Sequence, residues 1–177
     1  MRSDKKQPEH IIHEISPVFD ARSRVLVLGT MPSPKSRETG FFYGHPQNRF
    51  WRVMSAILKK PLPQTVEEKR ALMLENHIAL WDVLHACTIE GAGDASIRDA
   101  VPNDIAPILR AADIRAIFTT GAKAYALYNR YIRPVVGREA IRLPSTSPAN
   151  CAQSPEELCR QYAVILTYLE EKHEKDC

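Results

Sequence analysis

Arg24-Val25-Leu26-Val27-Leu28-Gly29 decides the fold. This short, nearly continuous run of β-branched and aliphatic residues, closed by glycine, reads as a strand buried on both faces. Similar runs recur at residues 78–83, Ala116–Thr120 and Ala140–Leu143. Between them lie helical patterns over residues 48–59, 66–76, 103–112 and 122–132, the first with Phe50, Met54, Ile57 and Leu58 on one stripe. A last helix is expected over residues 155–172, where Ser154 caps a Pro155-Glu156-Glu157 start and Leu158, Tyr162, Ile165, Leu166 and Leu169 form one apolar face. Strands alternating with helices imply right-handed crossovers and a parallel sheet covered on both faces. The expected class is therefore α/β, a three-layer α/β/α sandwich around a central, mainly parallel sheet of about four strands.

The chain has 177 residues, of which 44% are hydrophobic, with 24 Lys+Arg against 21 Asp+Glu and a formal charge of +3. That is the composition of one domain, expected over residues 1–177, with residues 1–16 a tail or short helix. Neither a leader segment nor a membrane span is expected, since no apolar window is long enough, and the expected location is cytoplasmic, on the nucleoid in a bacterium. Cys87, Cys151, Cys159 and Cys177 form no CxxC pair, and His10, His13, His77, His85 and His173 have no partner at metal spacing. Neither a disulfide scaffold nor a metal site is expected. The charge is uneven: +3 over residues 1–50, −1 over 51–100, +4 over 101–150 and −3 over 151–177. Two basic segments and an acidic end suit an anionic polymer on one face, though a solvated surface gives the same pattern.

In a parallel sheet the working site lies in the loops after the carboxyl ends of the strands. The loop after the first strand runs from Gly29 to Trp51 and contains no GxGxxG or P-loop pattern. It combines small residues with the aromatics Phe41, Phe42 and Tyr43, which either stack a nucleobase or fill core beneath the loop. Tyr43, next to Gly44 and His45, is the best stacking candidate. The loop after the last strand, Pro144-Ser145-Thr146-Ser147-Pro148-Ala149-Asn150, offers hydroxyls of the kind that contact phosphates, or is simply a turn. Asp82, Asp94 and Asp99 flank the loop after the second strand, where solvated or capping roles are expected and the alternative is that one of them lines the pocket.

The first loop resembles the uracil-DNA glycosylase superfamily. Its mismatch-specific uracil glycosylases carry Gly-x-Asn-Pro, then Gly-Phe-x-Phe, then His-Pro-x-Asn-Arg-Phe-Trp. Here stand Gly29-Thr30-Met31-Pro32, Gly40-Phe41-Phe42-Tyr43 and His45-Pro46-Gln47-Asn48-Arg49-Phe50-Trp51, ungapped over 23 residues. Ser145-Thr146-Ser147-Pro148 looks like the superfamily's second motif, His-Pro-Ser-Pro. Met31 stands where the mismatch-specific enzymes place a catalytic Asn, and Met can neither orient water nor accept a proton. That departure, with Gly-Thr-Met-Pro-Ser and Ser-Pro-Ala-Asn, is similar to the DNA-deoxyinosine (hypoxanthine-DNA) glycosylases.

The resemblance implies Asn48 as the catalytic residue, where position alone also fits a helix cap. It further implies a base pocket from Gly29, Thr30, Met31, Pro32, Tyr43, His45 and Ser145, and DNA contacts from Ser33, Ser147, Pro148 and Asn150. Met31 also fits as a gap-filler, and His45 as an ordinary loop histidine. The implied substrate is DNA containing a deaminated base, flipped out and hydrolysed to an abasic site by a monomer without metal or cofactor. Hypoxanthine is the expected base. The alternatives are uracil in mismatches or single strands, a nucleic-acid binder without catalysis, and a small-molecule α/β enzyme.

Overall fold

The computed structural model describes residues 7–90 and 96–170. Strand β1 is Glu9–Ile12, β2 Val25–Gly29, β3 Ile78–Asp82, β4 Leu84–Ile89, β5 Arg98–Pro102, β6 Ala116–Thr120 and β7 Ala140–Leu143. Four of them form the expected parallel sheet, in the order β3-β2-β6-β7. Every residue of β2 and β6 is buried, because both faces of the sheet carry helices.

Alternate side chains along β2 feed two cores. Val25 and Val27 join Phe41, Phe42, Phe50, Trp51, Met54, Leu158 and Tyr162 on one side, and Leu26 and Leu28 join Ile105, Ile108, Leu127 and Tyr128 on the other. The first side is covered by α2 (Phe50–Leu58), α3 (Val66–Glu75), α7 (Pro155–Tyr162) and α8 (Val164–Leu169), the second by α4 (Ala106–Ala111) and α5 (Ala122–Leu127). These are the three layers, and the helix starts follow familiar chemistry: Thr65 Oγ1 accepts from Glu68 N–H, and Ser154 Oγ from Glu157 N–H.

Four features differ from expectation. A second, antiparallel sheet, β1-β4-β5, flanks the first, so residues 9–12 within the segment expected as a tail or short helix form a strand. The first loop contains a helix, α1 (Pro34–Thr39), which begins at the Ser33 cap and stops at Gly40 in a left-handed conformation (φ 71°). The helix expected over 122–132 continues beyond its bound, through a wider π turn at Tyr128–Ile132 into α6 (Arg133–Val136). The last helix is broken at Ala163 and its backbone is extended at Glu170. Its expected end at residues 171–172, like Asp94 and Cys177, lies outside the described residues. Among the described residues no helix is long and apolar enough to cross a membrane.

The junction between the sheets positions the site. Only Val83 separates β3 from β4, and this corner is tied to the end of β2: Val83 N–H donates to the Gly29 carbonyl (2.7 Å) and Leu84 N–H to that of Thr30 (3.0 Å). The last residue of β3, Asp82, is thereby registered beside Gly29.

Candidate active site

At the carboxyl end of the parallel sheet, two side chains crowd Gly29. A Cβ at that position would lie 2.6 Å from Asp82 Oδ1 and 3.2 Å from Tyr43 Oη, so only glycine leaves room for them. Tyr43 takes a left-handed backbone (φ 52°), unusual for a side chain of this size, and stacks on Phe50 with centroids 3.9 Å apart and planes 13° apart. Its hydroxyl lies 3.0 Å from Thr120 Oγ1, whose own proton points to the Leu28 carbonyl at 3.5 Å. Tyr43 therefore donates to Thr120, and burial together with the Asp82 charge holds its hydroxyl well above the usual tyrosine range.

Asp82 is 4% exposed, its Oδ2 is buried without a hydrogen-bond partner among the described residues, and burial pushes its carboxyl up to about 8. The solvated or capping role expected from sequence is corrected here. Its backbone carbonyl is capped by Asn103 Nδ2 at 2.9 Å, while the side chain has been taken into the site.

Asn48 sits just before α2. Phe50 N–H donates to its Oδ1 at 2.9 Å, as does the Thr146 hydroxyl, also at 2.9 Å. A backbone N–H can only donate, so the atom it meets is the oxygen, and the amide orientation follows. Both lone pairs of Oδ1 are thus spent, and among the described residues Nδ2 has no partner, which leaves a pair of donors on a half-buried side chain. Asn48 stands one residue before the N-cap of α2, Arg49, and its bond to the first N–H of the helix aims the NH₂.

The second loop is held against the first by Arg49. Its guanidinium donates to the carbonyls of Gln153 (2.5 Å), Asn150 (2.8 Å) and Ser147 (3.0 Å), and its backbone N–H to that of Thr146 (3.1 Å). Tyr162 of α7 adds a donor to the Pro144 carbonyl at 2.5 Å. Fanned donors of this kind need arginine. Arg49 therefore serves as a clamp between loops, with its donors turned inward, while Arg142 on β7 is exposed and Lys35 pairs with Glu38 at 3.1 Å.

The other expected residues fall on the same end of the sheet with different surroundings. Thr30 and Pro32 are buried, and Met31 is half-buried against the second core. His45 is exposed, its Nδ1 accepting the Gln47 N–H at 3.1 Å. Ser33 caps α1, where its Oγ accepts from Ser36 N–H and donates to Ser36 Oγ. Ser145 and Ser147 accept from the N–H groups of Ser147 and Ala149, Asn150 Nδ2 donates to the Ser145 carbonyl, and Pro148 is exposed. Phe41 and Phe42, each 2% exposed, fill core, which leaves Tyr43 alone of the three at the site. Three residues with direct parts in this geometry were missed from sequence: Asp82, Thr146, and Arg49 as a clamp. Only Asp82 carried a signal, an acid ending an otherwise apolar strand.

The family model described as the uracil DNA glycosylase superfamily matches residues 16–170. A hypoxanthine DNA glycosylase of Methanosarcina acetivorans is 36% identical over 75% of this chain and 84% of its own length. Another hypoxanthine DNA glycosylase, from Methanosarcina barkeri, is 34% identical over 76% of this chain and 85% of its own. A solution NMR structure of a candidate uracil DNA glycosylase from Methanosarcina acetivorans superposes with a TM-score of 0.77 at 30% identity, covering 90% of this chain and 98% of that one.

Proposed function

The chain belongs to the uracil DNA glycosylase superfamily, and on that premise we propose that it excises hypoxanthine from DNA and leaves an abasic site. The base cannot be hydrolysed inside the duplex, so it is flipped out at a cost of a few kcal/mol, least for a mispaired base. One face of Tyr43 is covered by Phe50. Its other face, on a ring whose hydroxyl reaches toward Gly29, receives the extruded purine in this account, a stacking contact of about 1–3 kcal/mol.

The glycosidic bond then breaks with positive charge on the sugar and negative charge on the departing base. Donors aimed at that base stabilise the transition state more than the ground state. The observation that carries this reading is the tethered Asn48, whose oxygen is doubly occupied and whose NH₂ is free. Asn48 acts as a donor to the base in this account, and it serves water only through the same NH₂. Hypoxanthine differs from adenine in offering a 6-oxo acceptor, which such a donor accepts and the 6-amino group of adenine repels. Ser33, Ser147, Pro148 and Asn150 line the DNA side of the two loops, where short side chains and amides allow close approach of phosphates. One copy supplies every group named, so the working unit is a monomer, acting in the cytoplasm.

Single-turnover excision on otherwise identical duplexes containing deoxyinosine, deoxyuridine or deoxyadenosine tests the proposal. Abasic product from deoxyinosine, less from deoxyuridine and none from deoxyadenosine is the expected order. Product from deoxyuridine alone makes the chain a uracil glycosylase. Binding that weakens with salt, without product from any duplex, makes it a binder without catalysis.

A further inference from the structure

The site described so far stabilises a departing anion but contains no group assigned to give it a proton. Asn48 and Met31 have none to give at neutral pH, and the Tyr43 hydroxyl is directed to Thr120. Asp82 is a buried titratable group at this end of the sheet that the account leaves unused, whereas His45 at the same end is exposed. Its carboxyl oxygen reaches within 2.6 Å of the point where a Gly29 side chain would begin, on the side of β2 that Tyr43 also faces. Oδ2 is buried and, among the described residues, without a hydrogen-bond partner. Tyr43 from the first loop is the titratable group set against it, Asn103 holds its backbone from the segment after β5, and among the described residues no Lys, Arg or His forms an ion pair with it. A carboxylate buried without a cation or donor is costly, and the favourable state of such a group is the neutral acid.

We propose that Asp82 is the acid that protonates the departing purine. The proposal rests on the reading that Gly29 and Tyr43 line the base pocket of a hypoxanthine glycosylase. As the C1′–N9 bond breaks, its electron pair moves into the purine ring, and the Asp82 proton passes to a ring nitrogen, so that the base leaves neutral. Water adds to C1′ of the sugar cation, and the proton it sheds returns through solvent to the Asp82 carboxylate. The sum is hydrolysis of one N-glycosidic bond, with the acid restored. Burial sets the carboxyl at about 8, which leaves about ten protonated molecules for each ionised one at pH 7. Division of labour follows: Asn48 binds the base through a donor it keeps, and Asp82 supplies the proton it gives up.

The test is the pH dependence of single-turnover excision from a deoxyinosine duplex at saturating protein, for the wild type and Asp82→Asn, with DNA affinity measured alongside. The wild-type rate is expected to fall about tenfold per pH unit above about 8. Asp82→Asn keeps the size and a donor but cannot transfer a proton. It should bind the duplex with unchanged affinity, react about 10²-fold to 10⁴-fold more slowly, and lose the fall near pH 8. A wild-type rate that stays level from pH 6.5 to 9.5 overturns the proposal without need of any variant. So does an Asn variant as fast as the wild type, or one that is slower yet keeps the same fall. Wild-type protein that leaves deoxyinosine uncut at every pH removes the hypoxanthine reading itself, and the acid with it.

Discussion

Asn48→Asp separates the two halves of the Asn48 side chain. The bonds accepted by Oδ1 from Phe50 N–H and the Thr146 hydroxyl, both 2.9 Å, are kept by a carboxylate. The new charge also sits at the start of α2, where an anion adds about 0.3–1 kcal/mol. The fold should therefore hold or gain slightly in thermal stability. What disappears is the NH₂ donor, and an oxygen with negative charge takes its place facing a base that becomes negative. Removal of one donor aimed at a developing anion costs about 2.7–4 kcal/mol, so the single-turnover rate on deoxyinosine should drop about 10²-fold to 10³-fold. Asn48→Ala loses the same donor and also leaves Phe50 N–H and the buried Thr146 hydroxyl unpaired, at about 1–3 kcal/mol each. It should be slow and destabilised together. An Asp variant as fast as the wild type would refute the reasoning, because the contribution would then come from the oxygen, through water.

Arg49→Lys keeps the charge but cannot reach three carbonyls at once, so chemical denaturation should show a loss of about 2–4 kcal/mol and excision should weaken as the second loop leaves Asn48. Unchanged stability would mean that the clamp is incidental. Gly29→Ala sets a methyl 2.6 Å from Asp82 Oδ1, and the overpacking should cost about 1–3 kcal/mol and slow excision, read by melting and single-turnover rate. Asp82 also makes stability depend on pH. Its carboxyl is raised from 3.8 to about 8 on folding, so the folded chain holds a proton that the unfolded chain releases over that window. Stability falls as pH rises from about 4 to 8, by up to about 1.4 kcal/mol per unit, and Asp82→Asn should abolish this slope. Parallel melting curves for the two proteins across that range would contradict a buried, unpaired acid.

The parallel sheet was legible because strands buried on both faces need little more than apolar residues, and Val25–Gly29 and Ala116–Thr120 supply them without interruption. The second sheet was not. Its strand Arg98–Pro102 is charged and mostly exposed, and Glu9–Ile12 buries only Ile11, so neither shows a buried strand's pattern; they are held by pairing with β4. The first loop could be aligned residue by residue to a family, yet its internal helix at Pro34–Thr39 was passed over although Ser33, Pro34 and Gly40 are ordinary start and stop signals. At the site, Asn48 and Tyr43 could be singled out from neighbouring residues. Thr146 and Asp82 acquire their parts from across the fold, 98 residues from Asn48 in one case and through the register of β2 with β3 in the other. Long-range pairing of that kind leaves little trace in local sequence, here only the acid that ends the apolar run of β3. Arg49 likewise takes its part from afar, since its donors go to carbonyls about 100 residues away in the chain.

The most direct measurement identifies what is released. Wild-type protein and Asn48→Ala are each incubated in excess with a duplex holding one deoxyinosine, and the free base is separated by chromatography while abasic strands are counted. The account predicts free hypoxanthine from the wild type in one-to-one ratio with abasic sites, and at least about a 100-fold slower release from the variant. No hypoxanthine from the wild type, or equal release from both proteins, would contradict it.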